Sequence, residues 1–239
     1  GLKFDPFAHT NYLYGEDLSS NLTLTAAQQD LAFNVSKAVR DAVGPDFDIM
    51  IETHAMLNYR VAVKMAQRLS SLDITWYEEP AGPESADTLR AMRERIPSNV
   101  SICVGERHYT RHGIRPVLEK NICDIMMPDI TRCGGPSEMK RMATMMETYN
   151  VLLAPHNPNG PLSTLASAHV CASVPNFFRQ EFMFNDVPWR DSVITHPIKD
   201  MVNNGYLHLS DRPGLGVDLV EEEMEKHPGI LQARKGFYV

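Results

Sequence analysis

The chain has few cysteines, no long apolar run and no excess of positive charge, and each lack removes a class of function. Its four cysteines, Cys103, Cys123, Cys133 and Cys171, never fall at C-x-x-C spacing, so neither a zinc knuckle nor a disulfide framework is indicated. No apolar stretch approaches the roughly 18–20 residues needed to cross a bilayer. A net charge of −7 without a basic stripe argues against nucleic acid as a partner. Gly-rich phosphate fingerprints are missing too: Gly134-Gly135 stands alone and Gly113 is isolated, which weakens a nucleotide-binding open sheet. A soluble, reducing, cytoplasmic setting is the expectation.

What remains is a regular beat of strand and helix. With 239 residues and 43% apolar content the chain can bury a sizeable core. Short apolar strands are expected at 2–5, 47–52, 74–78, 101–106, 123–127, 151–154 and 177–181. From the second onward they recur about every 26 residues, the length of a strand-loop-helix-loop unit. Thr25 is placed to cap a helix whose buried face is expected to carry Leu31, Val35, Val39 and Val43. The next helix should bury Ala62, Met65, Leu69 and Leu72. Strict alternation implies parallel strands joined by right-handed crossovers. Polar groups at many different strand ends favour an α/β fold of the (β/α)8 barrel type. Seven strands are counted, so residues 1–190 are expected to supply barrel strands two to eight, with the first strand outside this stretch. Residues 191–239, where the beat stops, form a charged extension dotted with Pro and Gly.

The strand ends carry the chemistry. In Asp48-Ile49-Met50-Ile51-Glu52-Thr53-His54-Ala55 strand alternation would turn Glu52 and His54 the same way. Further on come Glu78-Glu79-Pro80, Gly105-Glu106-Arg107, Pro128-Asp129, Pro155-His156-Asn157-Pro158 and Gln180-Glu181. Glu52, Glu78 and Glu106 end three consecutive strands and would converge on one rim. Three anions held together there need a cation. Oxygen-only ligands suit a hard divalent ion, Mg2+ before Ca2+ or Mn2+. His156 and Asp129 end neighbouring strands, so a hydrogen bond that fixes the imidazole tautomer and makes it a better base is feasible.

These motifs, in this order and spacing, resemble the enolase superfamily. Within it they are similar to the mandelate racemase branch and, most of all, to acid-sugar dehydratases of D-galactonate dehydratase type. The resemblance runs from residue 1 to about residue 185 and rests on Thr53-His54, Glu78-Glu79-Pro80, Gly105-Glu106-Arg107, Pro128-Asp129 with Cys133-Gly134-Gly135, and Pro155-His156-Asn157-Pro158-Asn159-Gly160-Pro161. It implies one Mg2+ held by Glu52, Glu78 and Glu106, and a His156–Asp129 pair that removes the proton beside the substrate carboxylate. It further implies that His54 protonates the departing 3-hydroxyl and that Glu181 hydrogen-bonds a carboxylate oxygen. Lys3, Asp5, Arg107 and Asn157 would contact the substrate, a small sugar acid that leaves as a 2-keto-3-deoxy acid.

The resemblance also implies a homo-oligomer and an N-terminal capping domain, which this stretch does not include. Departures from the family pattern are Glu52 for the usual Asp, Thr53-His54-Ala55 for Phe-His-Gly, and Asp5 where racemases keep a Lys base. A racemase or epimerase of a 2-hydroxy acid, and a binding protein on the same barrel, are the alternatives. His108, Arg111 and His112 are further candidates for the substrate. The methionines at 139, 142, 145 and 146 are expected in the core, Glu221-Glu222-Glu223 at a solvated helix start, and Trp76 and Trp189 at the rim or in a domain contact.

Overall fold

Six strands pair side by side in chain order: β1 (Leu2–Phe4), β2 (Ile49–Glu52), β3 (Trp76–Glu78), β4 (Ile102–Val104), β5 (Ile125–Met126) and β6 (Leu152–Leu153). Every pairing is parallel. This computed structural model describes residues 1–7, 23–183 and 187–228. The Asn- and Tyr-rich stretch 8–22, residues 184–186 and residues 229–239 lie outside those residues. Helices α1 (Ala26–Val43), α2 (Tyr59–Leu69), α3 (Ala86–Arg93), α4 (Thr110–Glu119), α5 (Gly135–Glu147) and α6 (Pro161–Cys171) follow the six strands in turn.

Alternation along the strands sorts the core into two layers. Ile49, Ile51, Tyr77, Ile102 and Val104 face the helices and join one large cluster with Met65, Leu69, Leu89, Ile114, Met139, Met142 and Met146. Met50, Trp76, Cys103, Ile125, Met127 and Ala154 face the opposite way and form an inner floor, with Phe178 packed against it. The methionines of α5 are core, as expected. Ala62, Met65, Leu69 and Leu72 are all buried as well.

Two expectations fail. The segment 177–181 is not a strand: Phe177 makes only an isolated parallel bridge to Leu153. Its backbone is held at three points, by Leu153 N–H to Asn176 O, Phe178 N–H to Leu153 O and Glu181 N–H to Pro155 O. The side chains between these points are pulled sideways, Arg179 to Asp48 and Gln180 to the Thr164 carbonyl. The sheet is therefore an open arc of six strands, not a closed barrel. Side chains span its two edges: Arg179 Nη2 donates to Asp48 Oδ2 at 2.9 Å, and Lys3 Nζ meets Glu181 Oε1 at 2.8 Å.

The second failure is the buried face of α1. Thr25 and Gln28 do form the expected reciprocal cap. The fully buried residues, however, are Gln29, Ala32 and Ser36; of the expected face Val39 and Val43 are half-buried against the core, while Leu31 and Val35 stand exposed. Ala32 is small enough for close packing. Ser36 donates to Ala32 O and Gln29 Nε2 to Leu24 O, while Gln29 Oε1 is buried with no hydrogen-bond partner among the described residues.

Beyond α6 the chain returns along it. Ile194 and Ile198 pack with Leu165, followed by a two-stranded hairpin, β7 (Val202–Asn203) and β8 (Tyr206–Leu207), and a short helix α7 (Glu221–Glu225). Glu221, Glu222 and Glu223 form its acidic first turn, with no buried residue in the helix. No helix among the described residues is long and apolar enough to cross a membrane.

The loop after β4 sets two outcomes. Gly105 adopts φ +143°, and a Cβ there would lie 2.7 Å from the Met127 amide nitrogen. Gly105→Ala should therefore cost about 1–3 kcal/mol from backbone strain alone, read as a lower urea midpoint. His108 is buried, its Nδ1 has no partner, and burial holds its pKa down to about 4. The unfolded chain takes up that proton near pH 6.5, whereas the folded protein resists until about pH 4. Stability present above pH 6.5 should thus fall as the pH drops through that window, and His108→Gln should flatten the fall in melts taken between pH 7 and 4.

Candidate active site

Parallel register brings the strand-end carboxylates together. Glu52 and Glu78 are paired residues of β2 and β3, and Glu78 pairs with Cys103 of β4. Continued alternation from Cys103 would turn Glu106 toward the helices. The left-handed Gly105 interrupts that alternation and returns Glu106 to the inner side. One oxygen from each of Glu52, Glu78 and Glu106 then lies within 4.8 Å of the others, and all three side chains are buried.

At that spacing each pair of charges repels by about 3–4 kcal/mol for an effective dielectric of about 20. Three pairs together rival the stability of a whole domain, about 5–15 kcal/mol. The protein's own groups offset part of this. Lys3 Nζ lies 2.5 Å from Glu78 Oε1 and 3.4 Å from Glu52 Oε2, Trp76 Nε1–H donates to Glu78 Oε2 at 2.7 Å, and Arg107 pairs with Glu106. Burial and the charge of Glu52 push Glu78 well above the usual carboxylate range. Glu52 goes the other way: against its burial, the hydrogen bond with Glu78 and the charges of Lys3 and His54 hold it low. The two carboxylates are thus pushed in opposite directions, as expected of two acids in one buried site. An all-oxygen, buried set with a surplus of negative charge fits a hard divalent cation.

His156 is held by two carboxylates. Its Nδ1 lies 2.9 Å from Asp129 Oδ2 and its Nε2 3.0 Å from Glu106 Oε2. Against the burial penalty, these bonds push the imidazole up to about 9. Asp129 is itself fixed by the backbone and hydroxyl of Thr131 and by Asn159 Nδ2. With Asp129 on Nδ1, the basic atom is Nε2, which faces the triad.

The other expected residues also gather here. His54 lies beyond the end of β2 in a left-handed conformation, φ 51°, so a turn rather than strand alternation delivers it. Glu52 Oε1 accepts from His54 N–H at 2.6 Å, and His54 Nδ1 lies 2.9 Å from Asp5 Oδ2. Against burial, the bond to Asp5 and the charge of Glu52 raise the His54 pKa. Glu181 binds Lys3 through Oε1 and accepts from the Asn157 N–H through Oε2 at 2.6 Å. Arg107 Nη2 donates to the His54 carbonyl. By contrast, Arg111 turns away to bind Glu138, His112 is exposed on α4, and His108 is enclosed.

Sequence reasoning missed what four residues contribute. Trp76 belongs to the inner floor and orients a triad carboxylate, which its position two residues before Glu78 on one strand could have indicated. Glu79 is fully buried, accepts from Gly105 N–H at 2.7 Å, and is pushed up to about 8 by burial and by Glu106. It pins the loop that presents Glu106. Thr131 and Asn159 hold Asp129, a task that no spacing rule reveals.

The comparisons agree with this geometry. Residues 3–223 match the family model described as enolase C-terminal domain-like. The chain is 30% identical over 208 residues to the D-xylonate dehydratase of Haloferax volcanii, a match that covers 87% of this chain and 50% of that protein. It is 28% identical over 225 residues to the D-gluconate/D-galactonate dehydratase of Picrophilus torridus, covering 94% and 54%. A mandelate racemase/muconate lactonizing enzyme-like protein from Rubrobacter xylanophilus superposes with a TM-score of 0.86 at 33% identity, covering 95% of this chain and 57% of that one. The chain thus spans about half the length of the curated relatives it matches. On the match of residues 3–223 to its model, this chain belongs to the enolase C-terminal domain-like family.

Proposed function

We propose that this chain carries the catalytic portion of a Mg2+-dependent acid-sugar dehydratase acting on an aldonate or aldarate. One observation carries this reading: a buried carboxylate triad flanked by two imidazole–carboxylate pairs, His156–Asp129 and His54–Asp5. The names of the sugar-acid dehydratase relatives support the substrate class.

Glu52, Glu78 and Glu106 would hold one Mg2+, which supplies positive charge where the substrate carboxylate gains negative charge during proton removal. His156 Nε2 takes the C2 proton, while Asp129 holds the opposite nitrogen and stabilises the imidazolium that forms. The C2–H electron pair passes into the ene-diolate and then expels the 3-hydroxyl as the C3–O bond breaks. His54 supplies the proton that lets this hydroxyl leave as water. The resulting enol tautomerises to a 2-keto-3-deoxy acid. Lys3, Asn157 and Glu181 form a connected polar wall beside the triad, suited to the substrate carboxylate and hydroxyls.

Full-length protein with Mg2+ should form a 2-keto acid from at least one member of a panel that includes D-xylonate, D-gluconate, D-galactonate and D-arabinonate. Epimerised acid without any 2-keto acid would overturn the dehydratase reading. With the active substrate, His156→Asn should stop exchange of the C2 proton with deuterated solvent. His54→Asn should slow dehydration by about 100-fold or more yet leave exchange in place. The two roles are reversed if the variants behave the other way round.

Metal binding has its own readout. Mg2+ at 100 times its Kd should stabilise the folded protein by about 2.7 kcal/mol, visible as a higher melting temperature that chelator removes. Glu78→Gln and Glu106→Gln should abolish the rise. A wild-type melting curve that does not move across millimolar Mg2+ counts against the metal site.

A further inference from the structure

We infer that Asp5 acts as the positioning residue for His54, holding its ring through Nδ1 so that Nε2 delivers the proton to the leaving hydroxyl. The inference rests on the dehydratase reading and assigns Asp5 a task other than contact with the substrate. Both carboxylate oxygens are already taken by the protein. Oδ2 lies 2.9 Å from His54 Nδ1, and Oδ1 accepts from the Phe7 N–H at 2.7 Å.

The second of these bonds, to the residue two positions on, is an Asx turn. Pro6, with its fixed φ, and the fully buried Phe7 anchor that turn in the core. The Asp5 side chain is only 9% exposed, so its orientation is set before any substrate arrives. His54 is fixed at its backbone as well, its N–H bound to Glu52 and its carbonyl to Arg107. A ring held at Nδ1 by a carboxylate, on a backbone locked at both ends, keeps Nε2 in one orientation.

In the order of the sheet, Asp5 and His54 follow β1 and β2, whereas Asp129 and His156 follow β5 and β6. The triad comes from β2, β3 and β4 between them. The site thus has two carboxylate–imidazole pairs on either side of the reacting position, the arrangement that elimination needs: one pair accepts a proton and the other gives one.

The test uses Asp5→Asn in the full-length enzyme, with Asp5→Glu as the conservative variant. With the active aldonate, kcat for dehydration should fall by about 100-fold while KM and C2-proton exchange stay near wild type. The 3-deoxy-3-fluoro analogue loses fluoride, a leaving group that needs no full proton transfer, so its elimination should be nearly unaffected. Asp5→Glu should recover part of the lost rate. A raised KM with unchanged kcat would make Asp5 a substrate ligand and overturn the inference. So would a parallel loss of dehydration, exchange and fluoride release, which marks a collapsed site. NMR of 15N-labelled histidines separates this from the dehydratase reading. Wild type should show a protected Nδ1–H on His54 that Asp5→Asn shifts, with the His156 signals in place. Absence of that proton in wild type overturns the inference whether or not any sugar acid turns over.

Discussion

Three carboxylates buried within hydrogen-bonding distance of a common point form the constraint to which the rest of this site answers. Parallel register puts Glu52 beside Glu78, and a left-handed glycine swings Glu106 in to join them. Without compensation their mutual repulsion is as large as the free energy that keeps a domain folded. Lys3, Trp76, Arg107 and His156 each contact one or more of the three. These four residues come from β1, β3 and the loops after β4 and β6. Position on the rim, rather than proximity in sequence, determines which groups can share the load.

The same field differentiates the two histidines. His156 sits between Asp129 and Glu106, one carboxylate on each ring nitrogen, and is raised to about 9. His54 is bonded through Nδ1 to Asp5 and lies farther toward solvent. Cation binding by Glu106 would weaken that carboxylate's hold on His156 and leave Asp129 as its steady partner, the condition under which an imidazole works as a base. Chemically identical side chains are thus set in different electrostatic surroundings by their neighbours.

Much of this was legible beforehand because strand periodicity and register are local rules. The spacing of apolar runs located all six sheet strands, and the carboxylate ending each of β2, β3 and the loop after β4 marked the triad. Proline on both sides of His156 and an aspartate one strand away marked the second pair. The errors have a common physical origin. Residues 177–181 look like a strand in composition, yet side-chain bonds from Arg179 and Gln180 to distant elements outweigh a regular ladder. Leu31 and Val35 have the spacing of a buried stripe, but the inward face carries Gln29, Ala32 and Ser36, with Ser36 bonded to the Ala32 carbonyl in its own helix and Gln29 Nε2 to Leu24 just before it.

By itself, then, the sequence determined the order of strands and helices, the parallel topology and the set of acidic and imidazole groups delivered to one rim. Each of these follows from the spacing of residues a few positions apart. Only the tertiary structure decided how the delivered groups are coupled. It showed that Trp76 serves a carboxylate, that Glu79 is enclosed, that Thr131 and Asn159 steady Asp129, and that Asp5 binds His54 rather than standing open. These contacts join residues up to tens of positions apart across a curved sheet. Their distances depend on the curvature and on the conformation of single turns, such as that at Gly105, which no short-range pattern specifies.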